Sequence, residues 1–167
     1  MSFRGSLALA AVVALLDQLT KALVVSSFPL GAERVVIPGL FSLVHTRNRG
    51  IAFGFLGSSG PVVQIVLLAV VALVVLLLAR QLARSGTDAV TGAGLALVLG
   101  GAVGNLIDRV MRGEVVDFLD FYLRIGGHER HWWAFNLADS AITVGAIGIV
   151  LAELLRPARR EHAPRSD

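Results

Sequence analysis

Phe135-Asn136-Leu137-Ala138-Asp139-Ser140-Ala141-Ile142-Thr143-Val144-Gly145 opens an apolar run that continues through Leu155. If that run crosses a bilayer, Asp139 lies inside the hydrocarbon or at its edge. An acid at the centre of a membrane helix costs about 2.5–3.5 kcal/mol on insertion scales, so it is rarely there without a reason. Asn136 and Ser140 are spaced to share a helix face, and Asn136 and Asp139 nearly share it. One side of the helix start is therefore polar in an otherwise apolar segment. The rest of the chain can supply what Asp139 needs: a second acid, hydrogen-bond partners and a membrane.

Composition supports the membrane. Of 167 residues, 55% are hydrophobic and 16% charged, and mean hydropathy is +0.74. That suits an integral membrane protein of one domain, residues 1–167, better than a soluble domain. There is no cysteine, which excludes disulfides, thiol catalysis and Cys-ligated metal. The net charge is +3, but the basic residues cluster at the ends of apolar runs. This pattern suits anionic headgroups rather than nucleic acid.

Working outward from the 135–155 run, residues 110–134 form a break, with Trp132 and Trp133 placed as interfacial aromatics. Within it, Gly113-Glu114-Val115-Val116-Asp117-Phe118-Leu119-Asp120-Phe121 mixes apolar and acidic residues. Before the break, residues 89–107 form a glycine-rich span ending in Gly104-Asn105-Leu106-Ile107-Asp108-Arg109. Small residues let membrane helices approach closely. Residues 61–79 form the cleanest span, about 28 Å long as a helix, closed by Arg80 and Arg84. Residues 26–60 are a second break, in which Arg34–Ile37 and Leu40–His45 are strand-like. They predict a small extramembrane sheet. Residues 5–25 are the first span, where Asp17 and Lys21 have the spacing and order of a helical ion pair.

The predicted fold is therefore an all-α polytopic membrane protein with four spans and a small sheet on the non-cytoplasmic side. An even number of spans puts both termini on one side. Arginines are denser there, at Arg4, Arg80, Arg84 and in the 156–167 tail, so that side is expected to be cytoplasmic. The tail itself, with four arginines and two prolines, is expected to be disordered.

This topology gathers Asn48, Asn105, Arg109, Asp117 and Asp139 at the non-cytoplasmic face. Two carboxylates brought close cannot both ionise cheaply, so one keeps a proton. The pair then offers a base to activate water and an acid to protonate a leaving group, which suits amide hydrolysis. His45, His128, His131 and His162 are scattered, and no His/Glu spacing resembles a metal site. Spacing alone leaves Asp120 competing with Asp117. It also leaves open a small transporter or proton channel, and a non-enzymatic assembly factor using glycine-rich helix faces. A transporter should show inverted repeats, and the two halves share no internal similarity.

Five motifs in order change that weight. They are Asp17-Gln-Leu-Thr-Lys21, Asn48-Arg-Gly50-Ile-Ala52-Phe53-Gly54, Gly104-Asn105-Leu-Ile-Asp108-Arg109, Val115-Val116-Asp117-Phe118 and Phe135-Asn136-Leu-Ala138-Asp139-Ser140. Together they closely resemble the lipoprotein signal peptidases, bacterial signal peptidase II, over residues 17–145. The resemblance implies an intramembrane aspartic endopeptidase of the bacterial inner membrane. It would remove signal peptides from prolipoproteins on the amino side of a diacylglyceryl-modified cysteine. It implies Asp117 and Asp139 as the catalytic dyad, with Asn48, Gly50, Asn105, Arg109, Asn136 and Ala138 lining or supporting the site. Asp17 and Lys21 match a structural pair. No cofactor and no metal are implied. The partners are the lipid-modified substrate and membrane lipids, with no nucleic acid, and the chain is expected to act as a monomer. The glycine-rich span with Phe53, Phe55 and Phe118 is expected to receive the acyl chains. The Arg124–His131 stretch is a polar insert beyond the family pattern.

Overall fold

The computed structural model describes residues 1–49, 60–84 and 88–155. In chain order these form α1 (Phe3–Ser27), β1 (Glu33–Ile37), β2 (Phe41–Asn48), α2 (Pro61–Ala83), α3 (Ala89–Arg112), β3 (Val115–Ile125), β4 (His128–His131) and α4 (Leu137–Leu154). Three of these helices, α1, α3 and α4, are long and apolar enough to cross a membrane. The expected second span is α2, a helix of 23 residues whose Leu68–Ala83 part is apolar. The chain is a multi-pass membrane protein, but it is not all-α. A four-stranded antiparallel sheet, ordered β1-β2-β3-β4, is part of the fold.

Helix α3 occupies the middle and touches each of the other three helices. Its glycines face its neighbours. A Cβ on Gly104 would stand 2.5 Å from Asp17 Oδ2 of α1, and one on Gly101 would strike the Ala138 carbonyl of α4. The close approach brings polar groups of α1, α3 and α4 into one layer. Asp88 caps the start of α3, accepting from the Thr91 N–H at 2.9 Å. Gly113 ends it at φ 75°, a left-handed residue that glycine adopts without penalty. The helix runs to Arg112, beyond the expected end at residue 107, so Asp108 and Arg109 are helical.

The sheet docks on the helices through Val24, Val116 and Phe118, with Leu43, Leu119 and Leu137 packed around them. Phe118 is therefore a core residue, and Gly101 and Gly104 are closed by helix packing. Neither offers the open apolar seat for acyl chains that the sequence suggests. Phe53 and Phe55, the other residues of that seat, and Gly50 lie outside the described residues, as does the 156–167 tail. The polar insert is an antiparallel hairpin. Ile125 pairs with His128 across Gly126 and Gly127, whose φ values of 59° and 80° suit a tight two-residue turn.

Candidate active site

Asp139 is the third residue of α4, and its position comes from the helix start. The Asn136 side chain accepts from the Asp139 N–H at 3.0 Å, and Asp139 Oδ2 accepts from the Asn136 N–H at 3.3 Å. This reciprocal capping box satisfies N–H groups that have no partner inside the helix. It also turns the other end of the Asn136 amide toward β3. There Asn136 Nδ2 donates to Asp117 Oδ1 at 2.7 Å, and reaches Val116 O and Asn105 Oδ1 at 3.3 Å each.

Asn105 approaches from α3. Its Nδ2 donates to Asp139 Oδ1 at 2.8 Å, and its Oδ1 accepts from Lys21 Nζ at 2.9 Å. Asn48 on β2 hydrogen-bonds Asp117 as well. Arg109 donates to the Asn105 carbonyl at 3.2 Å, and its charge acts on both Asp139 and Asp117. The two acids, three asparagines and the arginine singled out in the sequence thus form one connected cluster. Burial, and then the nearby Asp139 charge, push the Asp117 pKa up to about 7. Hydrogen bonds from Asn136 and Asn48 oppose that rise without cancelling it.

Below this cluster is a buried ion network. Lys21 Nζ lies 2.8 Å from Asp17 Oδ2 and 2.9 Å from Asp108 Oδ2, with all three side chains at 0% exposure. Asp17 Oδ1 accepts from the Ala138 N–H at 2.9 Å, tying the first turn of α4 to α1. Ala138 itself is fully buried, and its contact with Asp17 is made by its backbone. Asp108 also accepts from Arg112, Gln18 and the Val116 N–H that begins β3. The expected Asp17–Lys21 pair is therefore one side of a larger unit. Sequence reasoning missed Asp108; a carboxylate at the end of an apolar helix, one turn before Arg112, was the available signal.

Asp120 is placed elsewhere. It is buried against His131 of β4, whose Nδ1 lies 2.7 Å from Asp120 Oδ2. That carboxylate raises the His131 pKa. Beside Asp117, a cavity of about 680 Å³ opens between the sheet and the Trp133–Ala134 segment, with His45, Asn48 and Glu114 also on its wall. Glu114 is held by Arg47 at 2.8 Å and Arg49 at 3.1 Å, which keep its carboxyl below the usual range. Among the described residues, no group of three or more His, Asp or Glu side chains is arranged to hold a metal ion.

Fold and site define a helical membrane protein that joins two carboxylates through shared asparagines beside a cavity. The profile of the signal peptidase II family matches residues 9–155. The lipoprotein signal peptidase of Paraburkholderia phymatum is 45% identical over 156 residues, covering 91% of each chain. That of Solibacter usitatus is 43% identical over 153 residues, covering 90% of each. A bacterial membrane enzyme solved in meso at 2.3 Å superposes with a TM-score of 0.80 at 29% identity, covering 97% of this chain and 94% of that one. A second, solved at 1.9 Å, gives 0.75 at 32% identity. The chain belongs to the signal peptidase II family.

Proposed function

We propose that the protein is an aspartic endopeptidase that removes signal peptides from bacterial prolipoproteins, cutting on the amino side of a diacylglyceryl-modified cysteine. Family membership supports the substrate class. The catalytic type rests on one observation: Asn136 bridges Asp117 and Asp139 through opposite ends of one residue. Asp117 and Asp139 are the catalytic pair in this reading. The ionised member takes a proton from water, which attacks the scissile carbonyl. The neutral member hydrogen-bonds the developing oxyanion. As the intermediate collapses, a proton from the pair reaches the leaving amine. Asp117, with a pKa near 7 and a cavity at its side, is the member suited to enter protonated. Asn48, Asn105, Asn136 and Arg109 orient the carboxylates, while Asp17, Lys21 and Ala138 hold the helices that carry them.

In this reading the protein sits in the inner membrane with both termini cytoplasmic. The sheet and dyad then lie at the opposite face, where translocated prolipoproteins emerge. Purified protein incubated with a lipid-modified prolipoprotein should reduce its mass by that of the signal peptide. An unchanged mass with correctly folded protein rejects the peptidase. Reporter fusions at Ser85 and Asp167 should both read cytoplasmic, and an external reading at either rejects the orientation.

A further inference from the structure

Glu114 stands between α3 and β3, and no step of the chemistry above uses it. It follows Gly113, which ends α3, and precedes Val115, the first residue of β3. Both of its carboxylate oxygens are engaged. Oε1 accepts from Arg47 Nη1 at 2.8 Å and Oε2 from Arg49 Nε at 3.1 Å. The Glu114 side chain is 15% exposed, so its pairing is partly withdrawn from water. An isolated surface ion pair contributes little, but one carboxylate shared between two arginines is a small network.

The strand register gives this network its place. β2 ends at Asn48, whose partner across the ladder is Val115. Arg47 pairs with Val116, and Thr46 with Asp117. One step beyond the last pair, the same register sets Arg49 opposite Glu114. Side chains alternate across a strand, so Arg47 and Arg49 leave on one face and Asn48 on the other. Asn48 and Asp117 share that second face, and their side chains are hydrogen-bonded. The end of a ladder opens more readily than its middle. Here the end carries the side chain that bonds Asp117, and Glu114 clasps the residue on either side of it.

We propose that Glu114 is a positioning residue. In this proposal, which rests on the peptidase reading above, Glu114 grips Arg47 and Arg49 and so holds the end of β2 against the start of β3. Asn48 is thereby kept within reach of Asp117, and the bond it makes fixes that carboxylate. Glu114 acts through Asn48 rather than on the reacting atoms.

A pH profile separates this role from a merely structural one. The groups that face Asp117 are Asp139 and Asn136 of α4, Lys21 of α1, Arg109 of α3 and Asn48 of β2, with His45 on the wall of the same cavity. Glu114→Gln leaves all of them in the chain. The Asn48 bond favours the charged form of Asp117, so losing it moves the alkaline limb of kcat/KM to higher pH. Loss of the Glu114 charge by itself would move that limb the other way, because a nearby anion favours the protonated acid. Glu114→Gln should therefore shift the limb to higher pH, the direction that Asn48→Ala also gives. It should lower kcat below the limb roughly threefold or more, with KM within about twofold of the parent. In the Asn48→Ala background, Glu114→Gln should change neither the limb nor kcat. Arg47→Gln, which opens the clasp from the other side, should behave the same way in both backgrounds.

If the parent protein leaves a lipid-modified prolipoprotein uncut, the peptidase reading falls and the clasp with it. If the parent cuts and Glu114→Gln keeps the parental limb and kcat, the clasp alone falls. A limb moved to lower pH shows Glu114 acting through its own charge and overturns the proposal. So does an effect that persists in the Asn48→Ala background, because it then bypasses Asn48. Should Glu114→Gln yield no folded protein, Arg47→Gln decides the matter by whether Asn48→Ala masks its effect.

Discussion

Lys21 Nζ donates to Asn105 Oδ1 at 2.9 Å, and this bond decides which end of the Asn105 amide faces Asp139. An ammonium has only donors, so it can engage only the oxygen end. Nδ2 is then left for Asp139 Oδ1, at 2.8 Å. A lysine on α1 thereby sets the hydrogen bond received by a carboxylate on α4. Asn105→Ala should lower kcat at least tenfold, with a smaller fall in melting temperature than loss of Lys21 causes. Circular dichroism melts and cleavage kinetics in one detergent check this; an Asn105→Ala protein with parental kcat refutes it.

The ion network predicts a different signature. Asp17, Lys21 and Asp108 are all fully buried. Removing one partner of a buried pair leaves an uncompensated charge, at about 3–5 kcal/mol. Asp17→Ala, Lys21→Met and Asp108→Ala should each reduce folded yield and melting temperature sharply. Turnover per surviving folded molecule should fall less. Parental stability with abolished turnover in Asp17→Ala would move that residue into the chemistry.

For the proposed dyad, asparagine is nearly isosteric with aspartate but cannot exchange a proton in the working range. Asp117→Asn and Asp139→Asn should each reduce kcat by at least about 10²–10⁴-fold, with substrate binding largely kept. The double variant should be no worse than the poorer single one, since either loss disables the unit. Asp120→Asn, which removes a partner of His131, should stay active. Inactive Asp120→Asn beside active Asp117→Asn would show that the wrong strand acid was chosen.

The pH profile follows from Asp117, whose pKa is raised to about 7. If it acts as the proton-bearing member, kcat/KM should decline on the alkaline side with an apparent pKa near 7 belonging to the pair. Stability moves in the same direction. An acid whose pKa is higher folded than unfolded binds its proton more tightly in the fold. Its stabilising effect is fully present below about pH 4 and is lost as pH rises through about 7. A rate profile flat to pH 9 contradicts the assignment.

The apolar runs made the helices legible, because each is long and bounded by glycine, proline or arginine. The strand-like runs at 34–37 and 40–45 became β1 and most of β2. Proximity of the acids was not legible from spacing. It depends on Asn136 spanning from α4 to β3, a contact across 19 residues of chain. The β3–β4 hairpin was also hidden. Its register is held by the Arg124–Glu129 pair and stacking of Tyr122 on His131, which look like unrelated polar residues in sequence. Asp108 was obscured because its cation, Lys21, belongs to a helix 87 residues earlier, whereas the visible i,i+4 partner of Lys21 is Asp17.

The amide of Asn136 meets Asp117 with its nitrogen and the Asp139 backbone with its oxygen. The N–H of the same residue donates to Asp139 Oδ2 at 3.3 Å, so the covalent frame of Asn136 holds one carboxylate by its side chain and the other by its backbone. Bilayers differ in thickness, and helices answer by tilting. A spacing set within a single residue does not follow that tilt. The rate of the chemical step should therefore be nearly the same in thin and thick bilayers, while substrate capture, which depends on depth, varies between them.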